Sequence, residues 1–445
     1  MSNLYTLNIY IKGSEKKQLI LNKYQMDVFA FDLGQRITLR VGFDELNVEV
    51  VEVSDDSQNN NLYLSKSAFS DLTHYHGGPL WLAFLSKDKV ILGPTLGLTV
   101  YKRTLKRIGE VQRIEKQAKL ALEKGILLYC FSLRSVDWAS NRVYAHYLCP
   151  RKNKWKSKQI PVPQVIYDRG SNPSSKNVEG YINRGKVDNI QWINTTRTFN
   201  KWDTYQAIKK FEETAEFMPN TELLTLTNLK KFMRKYETCY IKHNYSYFGR
   251  KVFRIETSGR WYLLKTGGSV IKSWKFTSLK ALYSFLHKNI GRDLIIQQQI
   301  YLAKRGEAPF DMRILVQKNS IGKWTVSGVN FRIAKPGAIV TNFAAGSKDI
   351  FIRPGDSLIH PKLSWENLEE FTFKAAHAME NHMGSLGEIG FDVALDREGK
   401  LWVIEANSRP NYAAYREAPE DVYKQILGLP LDYAKYLVKM RYDGQ

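Results

Sequence analysis

The stretch GFDVALDREGKLWVIEANSRPNY, residues 390–412, carries Asp392, Glu405 and Asn407 among Val, Leu, Trp and Ile. It reads as a β-hairpin around the turn Asp396-Arg397-Glu398-Gly399. Alternate residues of a strand share a face, so Glu405 and Asn407 point the same way, about 7 Å apart. With a two-residue Glu398-Gly399 turn, Asp392 lies directly across from Glu405; a bulged turn changes that register. Two carboxylates and one amide oxygen on one face suit Mg²⁺, whose remaining positions are typically water and phosphate. A polar strand face turned to solvent has the same pattern, so the hairpin alone does not decide.

A second stretch, CYIKHNYSYFGRKVFRI at 239–255, ends one strand in Lys242 and opens another at Lys251. The polar loop between them holds Ser246 and Gly249. A lysine beside a loop with free N–H groups is a phosphate cradle, although lysines before turns are common. It is not a G-x-x-x-x-G-K-[ST] loop, which occurs nowhere in the chain. Other chemistries find less footing. His74 and His76 in HYHGG have no third ligand nearby and read as a turn. No G-x-S-x-G occurs, and Cys239 in an apolar strand reads as core. Arg409 precedes Pro410, where it either orients a carboxylate or sits on the surface.

These residues need elements to hold them. The chain has 445 residues, 43% of them hydrophobic and 13% aromatic, enough for two or three domains with proper cores. Residues 1–98 are β-rich, with alternation in RITLRVGFDELNVEVVEV. A strand in VILGPTLGLTV, residues 90–100, a helix from about Ile108 to Lys124 and a buried strand in GILLYCFS make an α/β unit, assigned to 99–194. Residues 150–190 are basic, with a short strand and turn in PVPQVIYDRG and otherwise loops around that unit, and 195–445 read as a larger α+β region.

Sixty-six Lys and Arg against 44 Asp and Glu give a formal charge of +22, which favours an anionic partner. Basic residues cluster at 102–107, 151–158 and 230–235. Nucleic acid is one such partner, but no helix-turn-helix, zinc finger or aromatic RNA-binding signature accompanies the charge. The three widely spaced cysteines make no CxxC pair, as in a reducing cytosol. No signal peptide is read at the N-terminus, and no run approaches the roughly 20 apolar residues of a membrane span.

Taken in order, the pieces resemble the ATP-grasp superfamily of carboxylate–amine ligases, over about residues 195–440. NKWDTYQAIKKFEE places Lys201 at a helix start, and Lys242 stands before the glycine-containing loop. LIIQQQI, 294–300, resembles the strand that meets the adenine edge. DMRILVQ holds a D-x-R pair, and VNFRIAKPGAIVTNFAAGS follows with an arginine and an asparagine. GPTLGLTVYKR and FNKWDTYQ bring the chain nearest to the YheC/YheD endospore coat-associated family of spore-forming bacteria.

The resemblance implies an α+β ATP-grasp fold over 195–445, with 99–194 as a preceding α/β unit. It places ATP among Lys201, Lys242, Ser246, Gly249, Gln297, Gln298, Ile300 and Asp311. Mg²⁺ falls to Asp392, Glu405 and Asn407, and the reacting groups to Arg332, Asn342 and Arg313. The implied activity is amide formation from a carboxylate and an amine through an acylphosphate, linked to endospore coat formation. The basic surface suits an acidic peptide or polymer as substrate, with spore coat proteins as partners. A coat scaffold that has lost turnover is the alternative, because Gln297-Gln298-Gln299 stands where many such ligases place a glutamate. The loop at 244–249 has a single glycine beside Tyr245, Tyr247 and Phe248, which implies a stiffer lid than usual.

Overall fold

In the strand Arg36–Val41, Ile37, Leu39 and Val41 turn inward while Arg36, Thr38 and Arg40 turn outward. Strands with one such face bury it by closing on one another. The computed structural model describes residues 5–42, 44–54, 61–71, 79–86, 88–150, 152–170, 190–245, 252–267, 271–334 and 347–443. Its first seven strands, Tyr5–Lys12 to Lys89–Leu92, form a closed barrel.

The next strands are buried on both faces, and parallel neighbours follow from that. Thr95–Thr99 lies between Leu127–Phe131 and Val165–Asp168, parallel to both. The helix Gln112–Glu123 makes the crossover and buries Ile114, Ala118 and Ala121 against this sheet. Leu431, Tyr433, Ala434 and Val438 from the terminal helix Glu420–Asp443 join the same core.

Contacts divide the chain into two compact units. One comprises residues 1–195, 318–323 and 424–445; the other comprises 196–317 and 324–423. The segment 195–445 expected from sequence therefore yields two pieces to the first unit. Lys124 bonds Asp432 at 2.8 Å and Gln117 Nε2 donates to Leu427 O at 3.1 Å, which fixes the terminal piece there. The short strand expected in PVPQVIYDRG is Val165–Asp168, with Val165 and Ile166 buried. Lys154–Pro161, expected as loop, is also a strand of this sheet, with Ile160 buried. Residues 171–189 lie outside the described set.

The second unit holds two sheets. The first runs, by position, Thr221–Leu223, Leu294–Gln298, Thr238–His243, Val252–Ser258, Trp261–Thr266 and Ser273–Phe276, all antiparallel. Helices Leu226–Lys235 and Leu279–Asn289 share its core. The second runs Lys348–Ile352, Trp324–Ile333, Ala308–Lys318, Glu388–Leu395 and Leu401–Asn407. Helices Lys201–Lys209 and Trp365–Met383 pack on the apolar side formed by Phe310, Met312, Ile314, Phe391 and Val393. The residues that alternate with these form a polar face.

Candidate active site

That polar face follows from period two. In Ala308–Lys318, Met312, Ile314 and Val316 enter the core, which leaves Asp311, Arg313 and Gln317 on the other side. In Glu388–Leu395, Ile389, Phe391 and Val393 enter the core, which leaves Glu388, Gly390 and Asp392 opposite. Arg313 pairs in register with Asp392, and Gln317 with Glu388. Arg332 comes from Trp324–Ile333 beyond.

The hairpin of residues 390–407 reaches its register by a route other than the expected two-residue turn. Asp396 N donates to Lys400 O at 2.9 Å, so the connection is the three residues Arg397–Gly399, with Gly399 at φ +98°. Val393 then pairs with Val403, but Asp392 pairs with Glu405, so Ile404 is the extra residue of a β-bulge. The bulge lets Val403 and Ala406, three apart, both reach the core, while Glu405 and Asn407 stay out of it. Asn407 pairs with Gly390 and donates Nδ2 to its carbonyl at 3.3 Å, which leaves Oδ1 as the acceptor end.

Four charges interlock on this face. Arg332 grips Asp311 with Nε at 2.7 Å and Nη2 at 2.6 Å, a bidentate pair, and reaches Asp392 Oδ2 with Nη1 at 3.3 Å. Arg313 Nε bonds Asp392 Oδ1. Burial alone would raise the Asp392 pKa, but Arg313 and Arg332 outweigh it and hold the carboxyl below its ordinary range. Burial likewise works against both guanidinium charges, and the aspartates reverse it.

Two lysines face these acids. Lys201 opens its helix behind the N-cap Asn200, whose side chain accepts from Asp203 N at 2.7 Å. Asn244 takes the next N–H groups, from Lys201 at 3.2 Å and Trp202 at 2.9 Å. So fixed, Lys201 Nζ stands 3.6 Å from Glu405 Oε1. Lys242 is as buried as Lys201, each 8% exposed. Burial and then the like charge of Lys201 push its pKa down to about 8, against the pull of Glu405, Asp392 and Asp311. Its Nζ donates to Gln297 Oε1 at 2.5 Å, and Gln297 Nε2 passes a bond to Thr221 Oγ1 at 2.9 Å.

The glutamines thus have protein partners. Gln297 serves Lys242, and Gln298 Oε1 accepts from Asn220 N and Tyr236 Oη, both at 3.1 Å. Ile300 follows the strand, half-buried, and Arg409 is half-buried as well. Ser246, Gly249 and Asn342 lie outside the described residues, as does HYHGG. Cys239 is buried, and burial pushes its thiol up to about 12, which suits core rather than attack.

Sequence reading missed what lies under the segment after Asn407. Glu388, fully buried, accepts from Gln317 Nε2 at 2.7 Å and from the Tyr412 hydroxyl. Ser408 Oγ donates to Arg197 O at 2.7 Å. Between these anchors Pro410 lies directly on Gly390, where an added Cβ would stand 2.7 Å from Pro410 Cβ. Gly390→Ala is therefore expected to cost about 1–3 kcal/mol and lower the melting temperature. An unchanged melting temperature would show that the segment moves off freely. The sequence signal was there in part: a glycine inside an apolar strand marks a close approach.

Asp392, Glu405 and the Asn407 carbonyl are hard oxygen donors on paired positions of one face, and the Asn407 amide is already oriented by Gly390. They fit Mg²⁺. Among the described residues no cluster of three or more His, Cys, Asp or Glu could hold a metal ion by itself. No helix among the described residues is long and apolar enough to cross a membrane.

Known proteins are similar to this chain. The endospore coat-associated protein YheD of Bacillus subtilis (strain 168) is 28% identical over 382 residues, 79% of this chain and 80% of its own length. YheC of the same strain is 21% identical over 350 residues, 76% of this chain and 96% of its own. Among solved structures, a Chryseobacterium gregarium RiPP-associated ATP-grasp ligase, complexed with ADP and a leader and core peptide, shares 11% identity. It covers 76% of this chain and 97% of its own, with a TM-score of 0.45. The YheC/D-like ATP-grasp family model matches residues 189–437, more than half of the sequence, and the two-sheet unit that carries these acids and lysines falls within it. The chain belongs to the YheC/D-like ATP-grasp family.

Proposed function

We propose that this protein is an ATP-dependent carboxylate–amine ligase. One observation carries the reading. Asp311, Arg313, Arg332, Asp392, Glu405 and Asn407 converge on one sheet face, with Lys201 3.6 Å from Glu405 and Lys242 electrostatically coupled to the same acids. Phosphoryl transfer needs positioned cations more than covalent actors, and this face supplies four.

In the proposed reaction a substrate carboxylate oxygen attacks the γ-phosphorus of ATP and the bond to the β-phosphate oxygen breaks, releasing ADP. The amine nitrogen then attacks the acyl carbon, phosphate departs, and the nitrogen gives up its proton. Lys201 and Lys242 hold the phosphates. Arg332, locked by Asp311, stabilises charge that grows on the transferring group, where a fixed donor counts most. Arg313 borders the same group. Asp392, Glu405 and Asn407 would hold Mg²⁺, which would supply charge neutralisation at the phosphate oxygens.

The acid and amine are read from the chemistry around them. A charge of +22 suits an acidic peptide or polymer as substrate, and a link to the endospore coat has support in the names of the two relatives, YheD and YheC, which are called endospore coat-associated. The test mixes purified protein with ATP, Mg²⁺, and amino acids and peptides, and measures ADP. Amine-dependent ADP release is expected, and it should drop about 10²–10³-fold in Glu405→Gln with little change in stability. Nucleotide binding without ADP release across the panel would favour the coat scaffold. Binding to DNA with a steep salt slope would favour a nucleic-acid role.

A further inference from the structure

The basic cluster at 151–158 takes no part in the chemistry above, and most of it is a strand. Lys154–Pro161 pairs only with Arg142–Cys149, so among the described residues its other side is a sheet edge. One bond beyond the strand shows which backbone groups that edge offers. Val162 N donates to Asn141 O at 3.0 Å, which makes 141 and 162 a hydrogen-bonded antiparallel pair. Such pairs alternate along the ladder, so Lys154, Lys156, Lys158 and Ile160 spend their N–H and C=O groups on the neighbouring strand. Trp155, Ser157 and Gln159 turn theirs outward, and none of the three is a proline.

The side chains of this edge carry a second signal. Lys154, Lys156 and Lys158 pair with Cys149, Tyr147 and Ala145, so they share one face at steps of about 7 Å. Lys154 and Lys156 are exposed, and Lys158 is half-buried with Nζ 5.3 Å from the centroid of the Tyr147 ring. None of the three is paired with a carboxylate among the described residues. Lysines on an edge keep it from joining a second copy of itself, because like charges would stand opposite one another. The same array attracts a strand whose alternate residues are acids. A nucleic acid finds less here, since the Tyr147 ring beside the lysines is buried and gives bases nothing to stack on.

We propose that the outer edge of Lys154–Pro161 binds an extended acidic peptide as an added strand, its alternate carboxylates meeting Lys154, Lys156 and Lys158. In an antiparallel addition the lysines occupy the non-hydrogen-bonded positions, where side chains across the pair stand closest. Docking of this kind needs no nucleotide, so it does not depend on the ligase reading.

The test measures fluorescence anisotropy of labelled peptides with the full chain and no ATP. One probe alternates glutamate with threonine; the other has the same composition with its glutamates in one block. Wild type is expected to bind the alternating probe about fivefold or more tightly than the blocked one. The double variant Lys154→Gln, Lys156→Gln should weaken the alternating probe about fivefold or more. Ser157→Pro keeps every lysine but removes an outward N–H, a change an edge strand tolerates, and should weaken it about three- to tenfold. Should that variant melt well below wild type, a probe N-methylated at its threonines removes the same bonds from the peptide side and is expected to bind as weakly. Equal binding of the two probes to wild type would overturn the docking. So would full-strength binding by Ser157→Pro or by the methylated probe, which would leave charge attraction alone. Oligothymidylate binding more tightly than the alternating probe, and lost in the double variant, would overturn it in favour of a nucleic acid. No arm reads ADP release, so failure here leaves the ligase reading standing.

Discussion

Asp392→Asn will cost about 3–5 kcal/mol of folding free energy at neutral pH, because it strips a buried counter-charge from two arginines. Arg313 is bonded to no other described carboxylate, and Arg332 keeps only its grip on Asp311. The effect has a pH signature. Arg313 and Arg332 hold the Asp392 pKa below its ordinary 3.8, so its contribution is complete above that value. It disappears as pH falls through the lowered folded-state value, and the gap between wild type and variant closes in acid. Denaturant unfolding at several pH values reads this directly. ADP release should fall about 10²–10³-fold as well. The double variant Arg313→Met, Asp392→Leu separates the two losses: buried ion pairs replaced by apolar pairs are often neutral, so stability should largely return while turnover does not. If the single variant is as stable as wild type, the interlocked charges are not buried in solution as they are here.

Lys242→Met should do the opposite and make the protein more stable while weakening its hold on nucleotide. Burial lowers this lysine from 10.5 to about 8. Below about pH 8 both folded and unfolded chains carry the proton, and the folded state bears the full cost of a buried charge, roughly 3 kcal/mol. Between about 8 and 10.5 the unfolded chain binds a proton that the folded chain has released, so wild-type stability climbs with pH across that window. Methionine avoids the cost but leaves Gln297 Oε1 without its donor, which returns about 1 kcal/mol. The expected net gain at pH 7 is about 1–2 kcal/mol, shrinking as pH approaches 10.5. Affinity for AMPPNP should fall about 10–100-fold. A variant less stable than wild type at pH 7 would mean the ammonium is better solvated than its 8% exposure implies.

Much of this site was legible because strands have period two. Asp392, Glu405 and Asn407 could be assigned to one face from spacing, whereas Asp311 and Arg313 came only with the family resemblance. The Asp392–Glu405 pair was reached through a turn of the wrong length. The three-residue connection and the bulge at Ile404 offset one another, and neither Val403 nor Ile404 announces a bulge. The Lys242–Gln297 bond depends on the pairing of Tyr240 with Gln297, a long-range register no local pattern encodes. The grip of Arg332 on Asp311 likewise joins two strands far apart in sequence. The terminal helix groups with the first unit, which its sequence does not announce, because Leu431, Tyr433 and Val438 look the same whichever core receives them.

The bulge has a consequence for anyone who would move this hairpin to another protein. Ile404 stands opposite no residue of its own, between a turn-side ladder from Leu395 to Val393 and a site-side ladder from Asp392 to Gly390. It is therefore the one residue between the two ladders that can be lost while both keep their partners. Engineers grafting the acids elsewhere can omit Ile404 and keep Asp392 opposite Glu405, with Val403 and Ala406 then alternating with the acids on a regular strand.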